Sequence, residues 1–391
     1  MKLPSLAILA CVCALALAGP GRAPVTAADP YELNVLLPLT GPLAFVGASQ
    51  SKALLALQDV VNTGGGIKGR PLKLVILDDG SNPQTAIELT TQLIAKHVPV
   101  ILGSAAAGSC SAMFPLVDKA GPVTYCFSPT VHPRAGGYSF MSGPAIEDTQ
   151  PVLLRFFRAR GLTNIALLAS NDANGQDFER QLDATLALPE FHTMTVVARE
   201  HFNLSDISVA GQIARIKAAK PGFLIAFTSG TPFGTVLRGA SDAGLDVPIY
   251  SSGGNMAYAQ MAQYASFLPK ELYLNAARGV VFDPTATGKV KAAQGVFFDA
   301  MRKAGIRPEY SHLIVWDPTM VVVDALRALG PDASADRLHD YIEHLQSWTG
   351  AEGSYDFSSG NQRGATQPAV ALVRWDAPNA TWVMADPTAK R

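Results

Sequence analysis

Charge is scarce in this chain of 391 residues: Asp, Glu, Lys and Arg make up 16% of it, against about 25% in an average soluble protein. The 31 basic and 32 acidic residues leave a formal net charge of −1. That balance excludes a nucleic-acid binder, which needs a basic surface to neutralise phosphates. Catalytic signatures are missing too. There is no H-E-x-x-H, no C-x-x-C, no G-x-x-x-x-G-K-[ST] and no G-x-S-x-G, and the seven histidines are scattered along the chain without clustered Cys or carboxylate partners. With no nucleophile, metal set or acid–base pair to build on, the expectation is a protein that is not an enzyme, with no catalytic residues, no metal and no cofactor. Long apolar runs are confined to one place. The stretch Leu3 to Ala18 is shorter than the ~20 residues a membrane span needs and is bracketed by Pro4 and Gly19-Pro20.

That stretch, behind Met1-Lys2 and ahead of small residues at Ala18 and Ala28, reads as a secretory signal peptide over residues 1–28, cleaved after Ala18 or after Ala28. Cleavage after Ala28 leaves 29 basic and 32 acidic residues, a formal charge of −3. Two of the four cysteines, Cys11 and Cys13, leave with it. Cys110 and Cys126 remain as an even pair in an oxidising compartment, where a disulfide and two buried thiols are both open. The full sequence is 48% hydrophobic, which argues against disorder, and the chain left after cleavage is long enough for two domains.

From Tyr31 onward short β-type runs alternate with longer helical patterns, the signature of βαβ units and a parallel sheet. Val35 to Leu39, Leu72 to Leu77, Val100 to Leu102 and Val123 to Phe127 read as strands; helices lie between, the first from Ala44 to Asn62 with Leu54, Leu57 and Val61 on one face. After a break near Ser142-Gly143-Pro144 the pattern restarts with a helix from Glu147 to Arg160 and strands at Ile165 to Leu168, Met194 to Ala198, Phe223 to Phe227 and Val247 to Tyr250. Helical segments Ala286 to Ala304, Ser311 to Leu329 and Leu338 to Trp348, then strand pieces Ser354 to Phe357 and Val370 to Trp375, form no complete βαβ unit. They are expected to return to the earlier lobes, so that the chain crosses between lobes several times.

Gly64, Gly66 and Gly69 match G-x-G-x-x-G, but a helix precedes them and a strand follows. A dinucleotide site needs the opposite order, so the expectation is a helix C-cap and tight turn. The informative segments are small, polar loops at the carboxyl ends of strands, where open α/β sheets bind ligands. Gly103 to Ser109 either presents helix N–H groups to a carboxylate or is a plain Gly/Ser turn with Ser109 as N-cap. Ser128 to His132 offers the Thr130 hydroxyl and the His132 imidazole. Asn171 to Asn174, Thr228 to Thr231 and Ser251 to Gly253 occupy equivalent strand ends in the second half. Phe45, Tyr125 and Phe233 lie near these loops, as aromatic walls or as core.

These features resemble the leucine/isoleucine/valine-binding type of periplasmic solute-binding protein. The resemblance rests on Leu39-Thr40-Gly41-Pro42, Gly47, the run Asn62 to Leu72, Asp78-Asp79, Asn82-Pro83, Ala120-Gly121-Pro122, Ser128-Pro129, Gly175, Leu237 to Gly244, and Gly353 to Phe357 with Gly360. It implies an α/β type I periplasmic binding fold of two Rossmann-like doubly wound lobes, joined by three crossing strands and closing around ligand. Residues 29–142 with 283–367 are expected to form one lobe and 143–282 with 368–391 the other. The implied role is capture of a small-molecule ligand in the periplasm by a monomer that serves an ABC transporter permease; a periplasmic sensor of the same fold is the alternative. Carried over position by position, ligand contacts fall near Phe45-Val46, on the loop Ala105 to Ser109 with Ala107, Gly108 and Ser109 foremost, on Thr130 to His132, at Asn174, near Gly230 and at Gly253. Ala107 stands where amino-acid binders present a serine, and Asn174 where they often have a tyrosine. Gly253 stands where they place the acid that pairs with the ligand ammonium. A buried ammonium without a counter-charge costs several kcal/mol, so the expected ligand is a small aromatic or branched organic carboxylate, with an amino acid as rival and Asp172 as the one possible substitute acid.

Overall fold

The computed structural model describes residues 28–280, 286–366 and 370–386; the expected signal peptide lies outside the described residues except for Ala28. The first half runs β1 (Tyr31–Leu37), α1 (Ala44–Thr63), β2 (Leu72–Asp78), α2 (Pro83–Ala95), β3 (Val100–Leu102), α3 (Ala107–Val117), β4 (Val123–Cys126) and β5 (Ser139–Met141). All five strands pair in parallel in the order β2-β1-β3-β4-β5. Local chemistry sets the boundaries. Asn82 caps α2, its side chain accepting from the N–H groups of Gln84 and Thr85, with Pro83 in the first helical position where no N–H is needed. Gly64 ends α1, and Gly65, Gly66 and Gly69 then take positive φ in a tight turn into β2. The G-x-G-x-x-G match is thus the C-cap and turn expected of it.

The second half runs α4 (Ile146–Ala159), β6 (Asn164–Ser170), α5 (Ala173–Leu186), β7 (Thr195–Phe202), α6 (Ala210–Ala218), β8 (Phe223–Phe227), α7 (Thr231–Asp242), β9 (Ile249–Ser251), α8 (Tyr258–Tyr264) and β10 (Leu272–Ala277). These strands are parallel in the order β10-β9-β8-β6-β7. The chain then adds α9 (Gly288–Lys303), α10 (Tyr310–Leu329), α11 (Ala335–Glu343), a small hairpin of β11 (Trp348–Thr349) and β12 (Ser354–Tyr355), and finally β13 (Val370–Asp376) and β14 (Thr381–Met384). β13 and β14 extend the second sheet antiparallel beyond β10. Meanwhile α9 and α10 pack on α1, and α11 packs on β4. Three passages therefore join the halves: β5 to α4, β10 to α9, and β12 to β13. Parts of the second and third lie outside the described residues.

Three expectations shift in detail. The helix expected from Leu338 to Trp348 ends at Glu343, and Trp348 pairs with Tyr355 in the hairpin. α3 begins at Ala107 with Ala106 as N-cap, so Ser109 lies inside the first turn rather than capping it. β5, β10 and β14 add strands; β5 and β14 are runs of only three and four residues. β3, β4, β8 and β9 are buried at every residue, as expected of parallel strands covered on both faces. Cys110 of α3 and Cys126 of β4 are joined by a disulfide.

Candidate functional site

In both parallel sheets the strand order reverses beside the first strand of the set, between β1 and β3 in one and between β6 and β8 in the other. Loops at such a point diverge and leave a crevice. The two crevices face each other and enclose a narrow cavity of about 50 Å³. From the first half it is lined by Leu43, Val46 and Gln50, by Ala105 after β3, and by Phe127 to Thr130 after β4. The second half contributes Asn174, Phe227, Ser229, Ser252, Gly254 and Asn275, and Tyr310, Ser311 and Ile314 close it from α10.

The lobes are drawn together. The Thr231 N–H donates to the Pro42 carbonyl across the cleft at 2.9 Å, and the Thr231 hydroxyl reaches the same oxygen at 3.3 Å. Thr130 bonds Asn174 from the opposite wall. His132 Nε2 lies 2.9 Å from Asp177 Oδ1, and Asp177 is also paired with Arg180. The bond from Asp177 pushes the His132 pKa up, and burial only partly offsets it. Behind the cleft the buried Glu309 accepts from the Ser49 hydroxyl at 2.5 Å and from the Tyr258 N–H at 2.8 Å, tying α1 to the start of α8.

No charged side chain lines this cavity. Asp172 does not reach it: its carboxylate caps α5, accepting from the Gly175 N–H at 3.1 Å and from the Ser170 hydroxyl at 2.6 Å. Arg363 is buried at a crossing, where its guanidinium donates to the carbonyls of Gly143 and Pro129 at 2.8 and 3.2 Å. Burial lowers its pKa. What the lining offers is hydroxyl and amide; behind Ala105 of the lining, α3 begins without a side-chain cap. Two lining groups, Gln50 Oε1 and the Tyr310 hydroxyl, are buried and have no protein partner.

Of the nine positions expected from the sequence, Thr130 and Asn174 line the cavity. Ala107 packs with Cys110, Cys126, Val131 and Met141 beneath the loop. Gly108 faces Pro83 of α2, and the fully buried Ser109 hydroxyl stands beside the buried Asp79 carboxyl. Ala105, at the start of the expected contact loop, is its one residue in the lining. His132 and Gly230 lie at the rim, in contacts between the lobes. Gly253 is packed so that a Cβ would lie 2.4 Å from the Asn275 carbonyl oxygen and 2.8 Å from the Tyr310 ring; its neighbours Ser252 and Gly254 do the lining. Phe45 faces a separate groove behind α1 with Lys52, Tyr258 and Arg307. Tyr125 and Phe233 are fully buried core, and the aromatic walls are Phe127, Phe227 and Tyr310.

Sequence reasoning passed over Gln50, Tyr310, Ser311 and Asn275. Gln50 had a readable signal: it sits four residues from both Val46 and Leu54, one polar residue in the buried stripe Val46, Leu54, Leu57 and Val61. Tyr310 had none, since α10 is apolar on nearly every face. One group of potential metal ligands exists among the described residues, His339, Asp340 and Glu343, whose ligand atoms lie within 4.8 Å of one another. It is remote from the cleft, with the His339 ring stacked on Tyr138.

A family model described as periplasmic binding protein matches residues 30–380. The chain belongs to this family. It is 25% identical over 224 residues to the leucine-, isoleucine-, valine-, threonine- and alanine-binding protein of Pseudomonas aeruginosa, an alignment covering 56% of the chain and 59% of that relative. Among solved structures it is similar to the branched-chain amino acid transporter substrate-binding protein LivJ of Streptococcus pneumoniae in complex with isoleucine, at TM-score 0.74, 18% identity and coverage of 91% and 100% of the two chains. It is also similar to an ABC transporter solute-binding protein from R. palustris in complex with benzoate, at TM-score 0.75, 20% identity and coverage of 91% and 95%. At these identities the likeness establishes the fold, the two-lobed type I arrangement expected from the sequence. Its named relatives are binding proteins, and no helix among the described residues is long and apolar enough to cross a membrane.

Proposed function

We propose that this member of the periplasmic binding protein family captures a small aromatic or branched organic carboxylate in the periplasm by closure of its two lobes. As a monomer it then hands the ligand to the permease of an ABC transporter. The lobes are read as residues 29–142 with 283–367 and residues 143–282 with 368–391. One observation carries the ligand class: the cavity lining contains no acid. An α-amino acid would leave its ammonium buried without a counter-charge, a cost of several kcal/mol. A carboxylate needs only donors, and the start of α3, which follows Ala105 of the lining and which no side chain caps, supplies a dipole of the right sign. Phe127, Phe227, Ile146 and Ile314 give the rest of the ligand apolar walls. The relative complexed with benzoate is a protein of this fold that takes such an acid.

A thermal-shift screen tests the reading with benzoate, isovalerate, leucine and isoleucine. A ligand at about 100 times its Kd adds about 2.7 kcal/mol to stability. Stabilisation by the acids and not by the amino acids is expected; stabilisation by leucine or isoleucine alone overturns the reading.

A further inference from the structure

We infer that Gln50 and Tyr310 form a second polar subsite in the cleft that reads a neutral hydroxyl on the bound acid, so that the ligand class is a hydroxylated organic carboxylate. The inference rests on the carboxylate reading above and adds to it. Gln50 is 1% exposed and Tyr310 3% exposed. Both line the cavity, and among the described lining residues they alone carry buried side-chain oxygens without a partner. Five of the other polar lining residues already carry bonds within the protein. Asn275 Oδ1 accepts from the Tyr250 hydroxyl and the Gly253 N–H, Ser128 and Thr130 bond each other and Asn174, and Ser252 accepts from the Gly254 N–H. A buried polar group left unpaired opposes folding, so the pair points to a partner supplied by the ligand.

The two helices that carry these side chains are tied together. Ser49 and Glu309 are hydrogen-bonded across α1 and α10, and the residue that follows each of them is Gln50 in one helix and Tyr310 in the other. The chemistry of the pair selects what it reads. An amide offers both a carbonyl and an NH2, and a phenol both donates and accepts; a ligand hydroxyl can donate to one and accept from the other. A cationic group would find no carboxylate in the lining, and a second carboxylate would find no basic side chain there. A plain hydrocarbon edge would leave both groups unpaired, and sites built around a ligand hydroxyl reject the analogue that lacks it.

The test is calorimetric titration of matched pairs: benzoate against 4-hydroxybenzoate, isovalerate against 3-hydroxyisovalerate, and valine against threonine. Wild-type protein and the Tyr310→Phe and Gln50→Leu variants are compared, with circular dichroism to confirm folding; Tyr310→Phe removes a single oxygen. The wild type is expected to bind the hydroxylated acid at least about 10-fold more tightly, and each variant to bring the two members of a pair within about twofold of each other. Equal affinity of the two members for the wild type overturns the inference. So does an equal loss of both members in the variants, which would make the pair the carboxylate holder. If only the amino-acid pair binds, the carboxylate reading fails separately. The subsite is then judged by whether the wild type prefers threonine and Tyr310→Phe erases the preference.

Discussion

Closure of the lobes depends on the missing side chain at Gly230. Its φ is +77°, and a Cβ placed there would lie 2.0 Å from the Pro42 carbonyl oxygen of the opposite lobe, where ordinary contacts begin at 3.4 Å. In Gly230→Ala the two loops must therefore part by about 1.4 Å, from the same distances, which breaks the 2.9 Å bond from the Thr231 N–H to Pro42. Losing that bond costs about 1 kcal/mol of closure, or about a fivefold weaker Kd, before any apolar contact in the cleft is counted. With ψ at −146° the backbone at Gly230 lies in a region that glycine alone adopts readily, so a side chain there adds about 1–3 kcal/mol of strain to the folded state whether open or closed. Gly65→Ala separates the two effects: Gly65 has φ +91° with nothing within 4 Å of its Cβ, so it carries the strain without the clash. Calorimetry and small-angle scattering with and without ligand read the outcome. Gly230→Ala should bind at least about fivefold more weakly and contract less on ligand addition, while Gly65→Ala loses stability alone. Wild-type affinity and full contraction in Gly230→Ala would refute the argument.

Other consequences follow from the charges and the disulfide. His132 gains Asp177 only when the lobes meet, and that bond raises its pKa above the ordinary 6.5. The contribution is then fully present below about pH 6.5 and is lost as pH rises through the closed-state value, so affinity should weaken with rising pH, by at most about fivefold for a pair this exposed; His132→Gln should flatten the profile in calorimetric titrations. Burial, and then the charge of buried Asp317, raises the Glu352 carboxyl. The folded state holds this proton more tightly than the unfolded chain, so stability should fall as pH rises beyond the usual carboxylate range. Glu352→Gln should reduce that slope in urea melts, and an unchanged slope would contradict it. The Cys110–Cys126 bridge spans 16 residues, so reducing it should cost about 3 kcal/mol, read as a lower urea midpoint in dithiothreitol.

Most of the fold was legible because parallel strands buried on both faces are written as unbroken apolar runs. Val100 to Leu102 and Phe223 to Phe227 appear in the structure with the same limits as in the sequence. The glycine-rich turn after α1 was legible because only a helix C-cap suits glycines placed between a helix and a strand. Short edge pieces such as β5 and β14, of three and four residues, leave little local signal. At the site, the strand-end loops pointed to the right regions but not to the right atoms. The helix register of α3 turns Ala107 and Gly108 away from the cleft and leaves Ala105 in the wall. α10 brings Tyr310 in from residues beyond both parallel sheets, a placement that tertiary packing alone decides.

The chemistry of the occupant bears most directly on the central claim. Ligand released by denaturing freshly purified protein can be identified by mass spectrometry. The uncharged lining predicts an organic acid without an amine; recovery of a stoichiometric α-amino acid would contradict it.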